Sequence, residues 1–385
     1  MKNDDTKRAW DQEGPVKMMI AGGGTGGHLF PGIAIAEAFL KKDRENEVLF
    51  VGTDRGLEKR VLKELGYSLE TLDIEGIKGR SWKRSMQAAF KIPGSMMQAY
   101  TIISKYSPDV VIGVGGYASG PAVLTAHFMG IKTAIAEQNA LPGVTNRILS
   151  KFVDKIFLSF PDRGQWFPEA RSVVTGNPIR ASFAADQNMP EKKEEEPFQI
   201  LIFGGSQGAH AINMAVLAAA AELEIFREKL KFVHQTGEKD VQEIRDAYKD
   251  LNMNAEVQPF IMDMAKAYRE ADLIICRAGA TSVAEITAMG KVAIFVPFPF
   301  AINDHQTKNA EILVHAKAAI MIPEKDLSGR HLADTIERLI GHPAIIEDMS
   351  KRSNALGNFR AADDVADACI KMAQGATLHG VSLTN

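Results

Sequence analysis

Cysteine is scarce: Cys276 and Cys369 are the only two in 385 residues. They stand far apart in the chain, which excludes a disulfide-stapled scaffold and a cysteine metal centre and leaves two packed thiols. Long apolar runs are missing as well; none approaches the roughly 18 residues needed to span a bilayer. Residues 1–15 carry Asp4, Asp5, Asp11 and Glu13 without an apolar stretch, so no secretory signal is expected and the chain reads as cytoplasmic. Charge of one sign is also lacking. A net charge of −3 provides no basic field, so nucleic acid is not an expected partner. Neither an Asp-x-Asp nor a His-x-His pair occurs, so no metal site is legible and no cofactor is expected.

What is present is the make-up of a soluble globular protein, 45% hydrophobic and 24% charged, long enough for two ordinary domains. Its 32 glycines gather where apolar runs end. A strand at 16–21 runs into Gly22-Gly23-Gly24-Thr25-Gly26-Gly27-His28, with a helix expected from about Pro31. Gly22, Gly24 and Gly27, with Asp54 after the strand at 48–51, fit a dinucleotide fingerprint, a weak signal alone. A strand at 109–113 precedes Gly115-Gly116-Tyr117 and a helix from about Pro121. The strand at 131–136 delivers Glu137-Gln138-Asn139 to its carboxyl end, the edge where open α/β sheets place ligands. Strands at 155–158 and 172–174 lead into a closing turn at 175–180.

Residues 181–197, with their EKKEEE run, read as a solvated linker. The plan then restarts with a strand at 199–203, a glycine loop at 204–208 and an alanine-rich helix at 209–223. Strands follow at 231–234 and 255–257, and a short helix at 262–269. The most informative stretch is 275–306, where a buried strand at 273–276 turns through Arg277-Ala278-Gly279 into a helix beginning near Ala280 or Thr281. Unpaired N–H groups and the positive dipole end there favour phosphate. Glu285 lies one turn deeper on the same face, placed to accept from sugar hydroxyls. Thr281 as an ordinary cap and Glu285 as a solvated helix residue are equally compatible with this segment alone. The fold expected is α/β, two Rossmann-like parallel-sheet domains facing a cleft, divided as 1–180, a linker 181–197, and 198–385.

Seven segments in order sharpen this: GGGTGGH at 22–28, GVGGYASGP at 113–121, AEQNALPGVTNR at 136–147, TGNPIR at 175–180, GGSQGAHAIN at 204–213, CRAGATSVAEI at 276–286 and DHQTKNA at 304–310. Together they resemble the MurG family of N-acetylglucosaminyltransferases. The resemblance implies a GT-B enzyme that transfers GlcNAc from UDP-GlcNAc, with inversion, to the MurNAc 4-hydroxyl of undecaprenyl-pyrophosphoryl-MurNAc-pentapeptide (lipid I), giving lipid II for peptidoglycan. It further implies that Thr25, Gly26 and Gly27 face the transferred sugar and pyrophosphate, and that Asn139 contacts the sugar. Arg180 and Ser206 belong to the donor site, Ile261 reads uracil through its backbone, and Gln306 contacts GlcNAc hydroxyls. Ala280, Thr281, Ser282, Val283, Ala284 and Glu285 hold phosphate and ribose. Taken singly, Ile261 also fits buried core and Arg180 a surface ion pair.

Displacing UDP builds negative charge on the pyrophosphate and requires a proton to leave the attacking hydroxyl. His28 is the candidate base, with Glu137 second; a structural role for His28 stays open. Because the acceptor is a lipid, residues 78–105 draw notice: Lys78, Arg80, Lys83, Arg84, Lys91 and Lys105 interleave with Trp82, Met86, Phe90, Ile92, Met96, Met97 and Tyr100, with no acid among them. That mixture suits an anionic membrane surface, with Pro93-Gly94 expected to break the segment into two short helices; a solvated basic face is the other reading. A peripheral position on the cytoplasmic face of the cell membrane and contact with other cell-wall enzymes follow as expectations. Two alternatives share parts of the pattern. Another GT-B UDP-sugar transferase would share the donor half, whereas an NAD-dependent oxidoreductase would use the fingerprint and Asp54 but leave the second glycine loop unexplained.

Overall fold

The computed structural model describes residues 14–54, 58–74, 82–184, 196–205, 207–301 and 304–375, the side chains of 82–90 and 184 excepted. Ser206, Lys78 and Arg80 therefore lie outside the described residues, as do the side chains of Lys83 and Arg84. The chain divides into two compact units. Among the described residues the strands of unit 1 are β1 (Lys17–Ala21), β2 (Glu47–Gly52), β3 (Ser68–Thr71), β4 (Val110–Gly113), β5 (Lys132–Glu137), β6 (Lys155–Leu158) and β7 (Ser172–Val174), in one sheet of order β3-β2-β1-β4-β5-β6-β7. Those of unit 2 are β8 (Phe198–Phe203), β9 (Leu230–Gln235), β10 (Ala255–Gln258), β11 (Leu273–Cys276), β12 (Val292–Phe295) and β13 (Ala319–Met321), in one sheet of order β10-β9-β8-β11-β12-β13. Every adjacent pair is parallel.

In unit 1 the switch in strand order falls between β1 (Lys17–Ala21) and β4 (Val110–Gly113), and in unit 2 between β8 (Phe198–Phe203) and β11 (Leu273–Cys276). At such a point the chain leaves neighbouring strands in opposite directions, so the two following turns open a crevice at their carboxyl ends. The central strands are apolar along most of their length because helices cover both faces: Met18, Met19, Ile20, Ile112, Ile200, Ile202, Ile274 and Ile275 are all buried.

The helix after residue 82 and the last helix differ from expectation. The segment from Trp82 is one continuous helix, α3 (Trp82–Tyr106), with Pro93 inside it. A proline removes a single intrahelical bond; here the Ser95 hydroxyl donates to the Ile92 carbonyl beside it, and Ala99 and Ile103 are anchored in the core. The segment also has an acid partner from outside, since Lys91 Nζ lies 2.9 Å from Asp73. The last helix, α14 (Ala361–Ala373), belongs to unit 1 and not to the second domain. Its Val365, Ala366, Cys369 and Met372 join the core that packs around α1 (Gly26–Lys42), and Lys42 pairs with Asp367 at 2.8 Å. The contact division of the chain otherwise falls after Arg180, with Asn139–Leu141 counted in unit 2. Among the described residues no helix is long and apolar enough to cross a membrane.

Candidate active site

In unit 1, α1 begins at Gly26, five residues before the proline expected to open it, so Gly26, Gly27 and His28 form its first turn. Thr25 is the N-cap in extended conformation with no side-chain cap bond, which leaves first-turn N–H groups without intrahelical acceptors. The Thr25 hydroxyl lies 3.3 Å from His28 Nδ1. On its other side the imidazole rests on Gly115, where an added Cβ would stand 2.6 Å from His28 Cδ2. The glycine turns after β1 and β4 interlock. Gly116 has φ +83, and a Cβ there would meet the Gly23 carbonyl oxygen at 2.4 Å. Gly116→Ala is therefore expected to destabilise the protein by about 2–4 kcal/mol, from left-handed backbone strain plus overpacking. Chemical denaturation of the variant measures it; an unchanged midpoint would contradict this close approach.

Glu58, which sequence reasoning missed, holds this loop in place. Its buried carboxylate accepts from Gly24 N at 3.1 Å, Thr53 N at 3.2 Å and Thr53 Oγ1 at 3.0 Å. Asp54, the acid in the dinucleotide fingerprint, instead forms an exposed ion pair with Lys59 at 2.8 Å. Glu137 is 3% exposed, and its Oε2 accepts from Gly143 N at 3.0 Å and Asn146 Nδ2 at 2.8 Å. That carboxylate fastens the 138–143 turn to the start of helix α5 (Val144–Leu149). The Arg180 guanidinium stacks over the Phe30 ring, 4.6 Å from its centroid.

In unit 2, helix α10 (Ala280–Ala288) starts directly after the β11 turn, with Gly279 as N-cap. Glycine has no side chain to satisfy the first N–H groups, so those of Ala280, Thr281 and Ser282 point out of the helix end without an intrahelical acceptor. Thr281 is therefore not the cap, and its Oγ1 is buried without a hydrogen-bond partner. Val283 and Ala284 continue the first turns, Val283 buried in the core. Glu285 is 6% exposed, and its Oε2 accepts from the Tyr268 hydroxyl at 3.2 Å. Burial and the Glu285 carboxylate both push the Tyr268 hydroxyl well above its ordinary value, so it stays a donor.

Around this turn the neighbouring loops are fixed by side chains. Gln306 Oε1 accepts from Phe298 N at 2.9 Å, which aims the other end of its amide away as a donor. Arg277 donates to the Val296 and Pro297 carbonyls and pairs with Glu324 at 2.5 Å. Fully buried Asn309 donates to the Ala278 carbonyl and to Asn139 Oδ1, each at 3.2 Å, and accepts from Ala140 N at 2.9 Å. Asn139 is thus held against the β11 turn.

The glycine loop at 204–208 leans on the end of β9 (Leu230–Gln235): Gly208 has φ +75, and a Cβ there would stand 1.9 Å from the Thr236 carbonyl oxygen. Ile261 is buried, and its N–H is donated to Gln235 Oε1 at 2.9 Å, leaving the carbonyl as its polar group for a ligand. Behind the loop lies a polar chain. Asn213 Nδ2 donates to Asp240 at 2.7 Å and to the Thr236 carbonyl at 3.0 Å, so Asn213 Oδ1 accepts from His234 Nε2 at 3.1 Å. His234 Nδ1 then accepts from the Tyr248 hydroxyl at 3.2 Å.

Burial lowers the His234 pKa from 6.5 to about 3, so this imidazole is neutral when folded. The unfolded chain takes up the extra proton between those values; the group's stabilisation is complete above about pH 6.5 and falls as pH drops toward 3. Denaturation at stepped pH should show a loss of at most about 1.4 kcal/mol per pH unit from this group. His234→Gln keeps a donor and an acceptor and should flatten that slope; an unchanged slope would contradict a neutral buried imidazole.

Among the described residues no group of three or more His, Cys, Asp or Glu side chains is arranged to hold a metal ion. The arrangement offers two helix starts with open N–H groups, one acid below the second, and one imidazole beside the first.

Residues 18–158 match the glycosyltransferase family 28 N-terminal domain and residues 199–365 the glycosyltransferase family 28 C-terminal domain. The chain is 59% identical over 357 residues to the UDP-N-acetylglucosamine–N-acetylmuramyl-(pentapeptide) pyrophosphoryl-undecaprenol N-acetylglucosamine transferase of Syntrophus aciditrophicus (strain SB), covering 93% of this chain and 99% of that one. It is 46% identical to the protein of the same name from Myxococcus xanthus, covering 93% of each. The crystal structure of Acinetobacter baumannii MurG superposes with a TM-score of 0.76 at 35% identity, covering 93% of this chain and all of that one. A UDP-GlcNAc 2-epimerase from Neisseria meningitidis, at 16% identity and a TM-score of 0.64, shares the fold alone. The two parallel-sheet domains are those of the GT-B architecture, and the chain belongs to glycosyltransferase family 28 and, within it, to the MurG family.

Proposed function

We propose that the protein transfers GlcNAc from UDP-GlcNAc to the MurNAc 4-hydroxyl of lipid I, with inversion, forming lipid II and UDP in peptidoglycan synthesis. The observation that carries the donor half is the uncapped start of α10, with Glu285 one turn below it. The diphosphate lies on the N–H groups of residues 280–282, where donors and dipole already point at the charge that grows as UDP leaves. Thr281 Oγ1 finds there the partner it lacks in the folded chain. Ribose hydroxyls donate to Glu285, and uracil N3–H donates to the Ile261 carbonyl, since the Ile261 N–H is already given to Gln235. The Gln306 amide and Asn139 meet the GlcNAc hydroxyls, while Ser206 and Arg180 supply further donors to the leaving group.

On the acceptor side His28 is the base. With its proton on Nδ1 and donated to Thr25 Oγ1, Nε2 is the ring nitrogen whose lone pair takes the proton of the 4-hydroxyl. Glu137 braces the neighbouring turn and does not compete for this role. Incubation with labelled UDP-GlcNAc and a short-chain lipid I analogue, with and without EDTA, tests the reaction. Transfer that survives chelation is expected; no transfer to that acceptor would end this reading.

The same reading places the protein peripherally on the cytoplasmic face of the membrane, through residues 78–105. Met97 and Tyr100 of that segment are 67% and 52% exposed, and bulky apolar groups beside lysines and arginines suit an anionic leaflet. Reversing the charges of Lys83, Arg84 and Lys91 is expected to lower binding to vesicles containing anionic lipid by tenfold or more. Binding unchanged by the reversal would remove the segment from that role.

A further inference from the structure

The end of β9 carries a side chain that joins two parts of the donor site. Gln235 is 3% exposed, and its carboxamide lies between two main-chain groups distant in sequence. Nε2 donates to the Gly205 carbonyl at 2.9 Å, and Oε1 accepts from Ile261 N at 2.9 Å. Those partners fix the amide's orientation, because a carbonyl only accepts and an N–H only donates. Few side chains can serve here: a carboxylate lacks the donor, an ammonium lacks the acceptor, and an apolar chain leaves the buried Ile261 N–H without its partner and the Gly205 carbonyl with the Gly208 N–H alone. The strand beneath is held rigid by the preceding residue, His234, which is fully buried between Asn213 and Tyr248. The glycine loop also passes close to the turn after β9, where a Cβ on Gly237 would stand 2.3 Å from the Gln207 carbonyl oxygen.

We propose that Gln235 is a positioning residue that couples the two halves of the nucleotide site: it ties the main chain that reads uracil, at Ile261, to the glycine loop that faces the diphosphate, at Gly205. This rests on the donor-site reading given above. When uracil seats on the Ile261 carbonyl, the segment carrying Ile261 loses freedom, and the amide passes that ordering to the loop one hydrogen bond away. A nucleotide with the correct base then meets a loop already set for its phosphates, while a wrong base leaves the loop loose. Selectivity for uridine thereby reaches the phosphate site without any contact between base and loop.

Separate fragments measure such coupling without the complication of a covalent link between them. The affinity of the full chain for inorganic pyrophosphate is measured by calorimetry with and without saturating uridine, in the wild type and in Gln235→Met, which keeps the side chain's length but neither hydrogen bond. In the wild type, uridine is expected to tighten pyrophosphate roughly fivefold or more, the lower end of measured couplings between sites. In Gln235→Met the ratio should fall to about one, whatever happens to the separate affinities. General damage to the site weakens each ligand but leaves the ratio in place, so a wild-type ratio retained in Gln235→Met overturns the proposal. A wild-type ratio of one overturns it as well, even if the variant does not fold. Failure of the wild type to bind either uridine or pyrophosphate would instead count against the donor-site reading itself.

Discussion

Replacing His28 with alanine is expected to lower kcat by about 10²–10⁴-fold, the usual contribution of a positioned general base, while the Kd for UDP-GlcNAc changes by less than about twofold. That corresponds to roughly 3–5 kcal/mol of transition-state stabilisation. The asymmetry follows from position. His28 lies in the first turn of α1 in unit 1, oriented by Thr25 on one nitrogen and by Gly115 against its ring, whereas the groups assigned to phosphate, ribose and uracil at residues 280–282, Glu285 and Ile261 are in unit 2. Single-turnover kinetics with saturating donor separates the two quantities. Parallel losses in kcat and donor affinity would make His28 part of the scaffold.

Exchanging Glu285 for glutamine should act on the other quantity. A hydrogen bond from a ribose hydroxyl to a charged acceptor contributes about 1.5–3 kcal/mol, so KM for UDP-GlcNAc is expected to rise roughly 10–100-fold. The change in kcat should be small, since the bond is made equally in ground and transition states. The wild type should also bind UDP more tightly than 2′-deoxy-UDP, and the variant should lose that preference. Tyr268 still has an oxygen to donate to in the variant, so the helix turn keeps its anchor. An unaltered preference for UDP would remove Glu285 from the ribose.

Much of this was legible in the sequence because it is local. Apolar runs ending in glycine turns mark β1, β4, β8 and β11, and the parallel-sheet architecture follows from their alternation with helices. The helix start after Gly279 was legible too, since an uncapped glycine between a buried strand and an amphipathic helix is a short-range signal. What could not be read depends on contacts between distant residues. Glu58, Gln235 and Asn309 are ordinary polar residues in their own segments, and their roles exist only once Gly24, Gly205, Ile261 and Ala140 are brought beside them. Helix α14 shows the same limit: its apolar stripe announces that it packs, but not that the core it joins is the first unit's. In α1 and α3, Pro31 and Pro93 mislead for a different reason. A proline sets a local preference against helix, and tertiary packing on both sides outweighs it.

The central claim is that the first turn of α10 grips the diphosphate of UDP-GlcNAc with Glu285 on its ribose. A crystal structure of the protein with UDP-GlcNAc bound tests it most directly. Phosphate oxygens within hydrogen-bond distance of the N–H groups of residues 280–282, and ribose hydroxyls on Glu285, are the predicted result. A diphosphate seated at the start of α1, with the α10 turn empty, would contradict the account.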